Sequence, residues 1–450
     1  MFGKRTPGIH VSGHKNTISC KPEMIPVPAT VTIPMSMHIG APCTPVVKMG
    51  DEVKVGQLIG EAGQGLGVPI HSSVSGKVTA MTEVLMANGR AVPAITITTD
   101  GAQTVAEGLT PPTVTNLDEF VAALKASGLV GLGGAGFPAW MKVSSSKGAV
   151  DTLLINGSEC EPYCTTNVRT MIDDAADVIE GARQVAKYLD VKHIVISTED
   201  EMKEAVAALE KAIGGDTMFE IKMEPTRYPA GAEKVIIYNV LGRTVPQGGL
   251  PKDAQVIIMN ATSLAFVAQY MRTGMPLTQK AVTVDGSAVK KPGIVIAPVG
   301  TSIQDLLDAC GGLDGEAGKI INGGPMMGPA VPDTTMPLMK QNGVVLALKD
   351  NDARIAPATS CIHCGRCANH CPMGLMPPNI EKAYLMDNVD GLIAAKADLC
   401  MECGVCSFVC PAKKDVVQMN RLAKPIAMAA IAAAKKAKAA ELEKKEGAKA

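Results

Sequence analysis

The chain has 450 residues, with 43 Lys and Arg against 44 Asp and Glu for a net charge of −1, and aromatics make up only 3%. That balance supplies neither the basic groove nor the stacking aromatics that nucleic-acid binding requires, so no nucleic-acid partner is expected. A hydrophobic content of 46% supports a large core, and the length suggests roughly three domains.

In chain order, the opening stretch MFGKRTPGIHVSGHKN lacks the apolar core of a secretory signal. No uninterrupted apolar run further on reaches bilayer-spanning length, so any membrane association is expected to be peripheral. Residues 1–100 hold short β-type runs split by Gly and Pro: Ala29–Ile33, Thr44–Val47, Gln57–Ile59, Gly76–Met81 and Ala94–Thr98. VVKMGDEVKVGQLIG followed by VPIHSSVSGKV resembles half of a biotinyl/lipoyl-type barrel sandwich. No Met-Lys-Met or Asp-Lys-Ala carrier context occurs, so Lys77 reads as a solvated lysine and the domain as a packing or docking module. A Gly/Pro/Thr linker over 101–115 leads to a helix, NLDEFVAALKAS, where Asn116 and Glu119 have capping-box spacing.

That helix runs into GLVGLGGAGFPAW. Gly131, Gly133 and Gly136 match G-x-G-x-x-G, but a helix precedes them and Phe137-Pro138 follows, so the dinucleotide fingerprint fails its own context. Four glycines in six residues still let backbone N–H groups converge on an anion such as a phosphate, the alternative being a flexible turn. Next, strands alternate with helices: strands Asp151–Asn156, His193–Thr198, Met218–Met223 and Gln255–Asn260, and helices Met171–Leu189, Glu201–Ile213, Ala232–Leu241 and Ser263–Met271. Such alternation predicts a parallel sheet with helices on both faces and a ligand at the C-terminal strand ends. Asn156, Ser158, Glu159, Glu161, Asn260 and Thr262 fall there, as ligand groups or as ordinary turn formers and caps. Residues Ala281–Met336 read as a small α+β module of short strands and one helix, Ser302–Cys310.

From Cys361 to Pro411 the spacing C-x2-C-x2-C-x3-C-P occurs twice. Three closely spaced thiolates wrap one cluster while the fourth, ahead of proline, reaches the other. Cys361, Cys364, Cys367 and Cys410 would therefore hold one 4Fe–4S cluster, and Cys371, Cys400, Cys403 and Cys406 a second. A disulfide framework suits short secreted chains, and a structural zinc site gives no reason to repeat C-x3-C-P. The other five cysteines, Cys20, Cys43, Cys160, Cys164 and Cys310, are scattered, which together with oxygen-sensitive clusters fits a reducing compartment. His363 and His370 lie within the first cluster loop, where all ligand slots are already filled. The Ala/Lys/Glu-rich tail from Ile426 reads as a solvated or frayed helix.

GLGGAGFPAWMK (Gly131–Lys142) with NGSECEP (Asn156–Pro162) resembles the flavin signature of the flavin/NADH subunit of respiratory complex I. The order of barrel sandwich, flavin domain, β-grasp module and twin ferredoxin motifs, with GIHVSGHK and IPMSMHIGAP near the start, resembles the RnfC family, from the Rnf complexes that act as ion-translocating ferredoxin:NAD oxidoreductases. The resemblance implies a multidomain chain: barrel sandwich 1–100, linker 101–115, Rossmann-like FMN/NAD-binding α/β domain 116–272, β-grasp SLBB-like module 273–345, linker 346–360, helical two-cluster domain 361–412 and tail 413–450. It implies non-covalent FMN with NAD(H) over it. Gly131, Gly133, Gly134 and Lys142 would cradle the FMN phosphate, with Gly136 in the same loop. Asn156, Glu159, Tyr228, Gly231, Asn260 and Thr262 would contact the flavin, and Phe137, Glu161 and Glu233 the nicotinamide nucleotide. Ala232 and Ala261 depart from the complex I pattern, where an acidic residue and an Asn stand. The implied function is electron transfer between NAD(H), FMN and two clusters, in partnership with ferredoxin-like and membrane subunits at the cytoplasmic side of the cell membrane. Alternatives are a cobalamin reductase of diol-utilising microcompartments and a non-enzymatic iron–sulfur relay.

Overall fold

The computed structural model describes residues 6–87 and 89–447, with side chains to 440, so the first residues of the expected N-domain and the end of the expected tail lie outside the described residues. Near the N-terminus, strands Thr30–Pro34, Ala91–Thr99, Gly76–Leu85 and Glu52–Val53 form one sheet, and Thr44–Pro45, Leu58–Glu61 and Ile70–His71 a second. Alternation drives the packing: Val31, Ile33, Ile95 and Ile97 point into the core, while Thr32 and Thr96 meet across the outer face with their hydroxyls 3.1 Å apart. Lys77 is exposed, as expected.

The following domain is a four-stranded parallel sheet in the order Phe219–Glu224, His193–Glu199, Thr152–Asn156, Val256–Asn260. The last three of these strands are buried on both faces, and Phe219–Glu224 is a half-exposed edge. Leu153, Ile155, Ile194, Ile196, Ile257 and Met259 pack under helices Leu117–Ala126, Ala175–Leu189 and Ala261–Thr273. Leu154, Val195 and Ile258 meet Ile236, Ile237 and Val240 of helix Glu233–Leu241 on the opposite face. A Cβ at Gly181 would overlap the Leu264 carbonyl, so glycine lets the second and third of those helices pack closely.

Several boundaries differ from the sequence expectation for local reasons. The expected helix Met171–Leu189 is two helices, Thr166–Asp173 and Ala175–Leu189, because Asp174 leaves helical dihedrals at φ −115° and ψ 27°. At the expected capping box Asn116 Oδ1 accepts from Glu119 N at 2.9 Å, and the Glu119 carboxylate accepts from the Thr115 N–H and hydroxyl.

The β-grasp sheet has the order Glu23–Met24, Gly293–Pro298, Gln279–Asp285, Val344–Leu348, Lys319–Asn322, with helix Ile303–Ala309 packed on it. Glu23–Met24 pairs with Val295 and Ile296, so a segment from within residues 1–100 joins this sheet, and the sheet runs past residue 345 to Leu348. Both segments complete a hydrogen-bond ladder that local sequence does not mark.

The cysteine region is built of short helices, Arg366–Asn369, Pro377–Leu385, Val389–Ala394 and Val405–Phe408, before the long helix Val416–Gly447. The first turns of that helix are not solvated: Val416, Val417, Asn420, Ala423 and Ala427 are buried against the cysteine loops and short helices. Among the described residues, no helix is long and apolar enough to cross a membrane.

Candidate electron-transfer site

The chain leaves the Thr152–Asn156 strand towards one side of the sheet and returns to its other side at Val256–Asn260, which makes the gap between these two strands the topological switch point. Asn156 and Asn260 stand there as register partners. The glycine loop lies over them: a Cβ at Gly133 would sit 3.2 Å from Asn260 Nδ2. Gly131 N donates to Phe137 O at 2.8 Å and closes the loop. Gly134, at φ +106°, and Gly136, at φ +63°, adopt positive-φ backbone that favours glycine, and nothing lies within 4 Å of a Cβ built on Gly134. Lys142 Nζ sits below, 3.1 Å from Glu233 Oε2 and 3.0 Å from Ile258 O. The buried Ser158 hydroxyl, just after the Asn156 strand end and beside Gly231, has no partner. An open glycine turn, a lysine cation and an orphaned hydroxyl at a switch point fit an anionic cofactor with a polar ring system.

Several of the expected residues are hydrogen-bonded within the chain. Asn156 Nδ2 donates to Gly231 O at 2.8 Å, tying two expected flavin residues together. Both Glu159 oxygens accept from the backbone N–H groups of Asn167 and Val168, each at 2.9 Å, and the Cys164 thiol donates to it. Its carboxylate caps the N-terminus of helix Thr166–Asp173, where unpaired N–H groups attract negative charge. Asn260 caps helix Ala261–Thr273 through Thr262 N, and the Thr262 hydroxyl bonds to Asn167 and Thr170. Glu161 accepts from Met326 N at 2.7 Å and Met327 N at 3.2 Å, and the Tyr228 hydroxyl donates to Cys403 O at 2.7 Å.

Three participants had no local sequence signal or only a weak one. Lys15 donates to the carbonyls of Glu159, Glu161 and Cys164, at 2.6, 2.8 and 2.7 Å, and so staples the NGSECEP loop. Glu199, 2% exposed, accepts from Glu159 N, and burial pushes its carboxyl up to about 7. The loop GGPMMG (Gly323–Gly328) carries the N–H groups that hold Glu161. Its cluster of glycines was the one visible hint.

The cysteines separate into two environments. Cys371, Cys400, Cys403 and Cys406 line one cavity together with Met373, Leu375, Gly404 and Val417. Burial raises the Cys403 thiol to about 11 and the Cys406 thiol to about 12, so a cationic cluster must draw them into thiolate form. Cys361 and Cys364 are exposed, while Cys367 and Cys410 are partly so. Burial also raises Cys367, with Cys364 and Cys410 as charged neighbours. Among the described residues, no three metal-ligating side chains converge on one point as a single ion requires. Four thiols spaced around a cavity fit a cube, which takes one sulfur ligand at each iron. His363 is exposed, and a ring nitrogen of His370 lies 2.9 Å from Arg366 O. Cys43 is buried 3.3 Å from His38 Nε2.

Fold and site together define a flavin and iron–sulfur electron-transfer protein. Family models match the RnfC barrel sandwich hybrid domain at residues 4–102, the Nuo51 FMN-binding domain at 124–269, the SLBB domain at 281–330 and a 4Fe–4S dicluster domain at 360–414. The chain belongs to the RnfC family of the ion-translocating ferredoxin:NAD+ oxidoreductase, or Rnf, complexes. It is 42% identical to the RnfC-type component of the Na+-translocating ferredoxin:NAD+ oxidoreductase complex of Acetobacterium woodii, over 80% of this chain and 81% of that protein. It is 38% identical to the proton-translocating counterpart of Clostridium ljungdahlii, over 82% of each. The NAD+-reducing NiFe hydrogenase in its H2-reduced state superposes with a TM-score of 0.48 at 17% identity, covering 69% of this chain and 63% of that one, too distant to carry any argument.

Proposed function

We propose that this chain is the NAD(H)-reactive subunit of an Rnf complex, moving electrons between NAD(H), FMN and two 4Fe–4S clusters while the complex couples ferredoxin:NAD oxidoreduction to ion translocation. It would work on the cytoplasmic face of the membrane, peripherally, against ferredoxin-like and membrane subunits. The observation that carries the reading is the Tyr228–Cys403 hydrogen bond, which packs the flavin-side loop directly onto the inner cysteine set. Nicotinamide exchanges hydride, clusters exchange single electrons, and a flavin supplies the conversion between the two.

In this reading Gly131, Gly133, Gly134, Gly136 and Lys142 hold the FMN phosphate end, and Asn156, Ser158, Gly231 and Asn260 present polar groups to the ring. Lys15, Glu159 and Thr262 keep the loop and helix ends in place behind them. Phe137, Glu161 and Glu233 border the nucleotide, and Tyr228 joins that border to the inner cysteines. Cys371, Cys400, Cys403 and Cys406 hold the inner cluster, and Cys361, Cys364, Cys367 and Cys410 the outer one.

Anaerobic titration of the reconstituted chain with NADH, followed by absorbance and EPR, tests this. Flavin bleaching accompanied by reduced-cluster signals, on protein holding about eight iron atoms, is expected. Bound flavin that stays oxidised under excess NADH would reduce the chain to a relay, and reduction of cob(III)alamin faster than of viologen dyes would move it to the cobalamin reductases.

A further inference from the structure

Glu161 is a half-buried carboxylate whose contacts lead away from the sheet. Its Oε1 accepts from Met326 N and Met327 N, Gly324 leaves no room for a side chain against it, and the Tyr228 hydroxyl lies beside it. Burial raises its carboxyl above the usual range. Both of its neighbours reach the same place. Tyr228, 2% exposed, donates to Cys403 O, and a Cβ on Gly404 would stand 2.6 Å from Met326 O. Tyr228, Cys403 and Val405 share one apolar cluster with Ile9, against which Cys160 and Met326 also pack. Arg421, on the helix that covers the cysteine loops, completes the contact by donating to Met327 O at 3.0 Å.

A carboxylate at the nucleotide border is therefore joined by two short routes, one through Tyr228 and one through the Gly323–Gly328 loop, to the Cys403-Gly404 turn. We propose that Glu161 and Tyr228 set the reduction potential of the inner cluster held by Cys371, Cys400, Cys403 and Cys406, acting as positioning and tuning residues with opposite signs. The physical basis is electrostatic. A negative charge in a poorly solvated setting favours the more positive, oxidised cluster and lowers its potential. The Tyr228 O–H directs the positive end of its dipole at the cluster loop and raises it. A ligand that draws Glu161 away from Met326 and Met327 would move the same charge, so nucleotide occupancy would be felt at the cluster.

This inference rests on the assignment of the inner cysteines as cluster ligands, and iron content separates the two. The test is an EPR-monitored redox titration of full-length, cluster-loaded protein as wild type, Glu161→Gln and Tyr228→Phe, with iron and FMN measured on each sample. The expected result is a positive shift of the inner-cluster potential for Glu161→Gln and a negative shift for Tyr228→Phe at unchanged iron, with the outer cluster as internal reference. Addition of NAD+ should shift the wild-type inner potential and leave Glu161→Gln unmoved. Equal shifts in both clusters, shifts of the same sign in the two variants, or no shift would overturn the proposal. If Glu161→Gln loses iron, the residue serves assembly alone and Tyr228→Phe decides the remainder. If wild-type protein holds no iron at the inner cysteines, the functional reading fails instead.

Discussion

The two cysteine quartets are written with the same spacing and live in different surroundings. Cys403 and Cys406 are each 8% exposed and line a cavity closed by Leu375, Val405 and Val417, whereas Cys361 and Cys364 stand on the surface beside the exposed Ile362. The inner set is approached by Tyr228 from the α/β domain, and the outer set lies at the surface. A repeated motif thus sits once in an enclosed cavity and once in the open. The asymmetry arises from what packs on each loop rather than from the ligands.

Serine substitution tests that division with the largest effect. Cys403→Ser and Cys361→Ser should each leave roughly half of the iron, since each removes a ligand from a different cluster. Only Cys403→Ser should abolish reduction of the surviving cluster by NADH, read by EPR after anaerobic mixing, while Cys361→Ser should leave the inner signal intact. Equal loss of NADH-dependent reduction in both variants would mean that electrons do not enter through the inner set.

Solvent access gives a second, smaller contrast. Iron release to a colorimetric chelator should be biphasic, with the fast phase of roughly half the iron coming from the exposed quartet. EPR on samples quenched between the phases should show the inner signal surviving. A single phase would show that the packing of Val405 and Val417 does not protect the inner site.

The part of this that the sequence made legible is the part encoded locally. Ligand spacing sits within a few residues, and the alternation of Val31, Ile33, Ile95 and Ile97 or the unbroken apolar run Leu153–Ile155 follows strand periodicity. The glycine loop and the Asn156 and Asn260 strand ends were visible for the same reason. The links between domains were not. Tyr228 and Cys403 are 175 residues apart, and Lys15 reaches carbonyls 144 to 149 residues away, so no window of sequence contains both partners. Glu159, Glu161 and Tyr228 were visible as chemistry but not as geometry, because the partners that orient their polar groups come from the Thr166 helix, the Met326 loop and the cysteine region. The strand Glu23–Met24 is two residues long and carries no pattern of its own.

The finest test of the asymmetry uses charge at the outer site. Lys414 Nζ is 3.0 Å from Glu381 Oε1, and the Cys361 and Cys410 sulfurs are among its charged neighbours, so it places a cation beside the outer quartet. Lys414→Gln should shift the outer-cluster potential negative, because the lost cation favoured the reduced form and the abandoned Glu381 carboxylate opposes it. The inner potential should hold. Because the pair is partly solvated, the change corresponds to at most about 1 kcal/mol and should shrink with added salt, as the screening length falls to about 3 Å at 1 M. The Glu161→Gln shift should persist at the same salt concentration, since the half-buried Glu161 carboxylate is held by the Met326 and Met327 N–H groups. Matching salt dependence at the two sites would show that the inner quartet is as wet as the outer one, and the contrast in burial would carry no electrostatic weight.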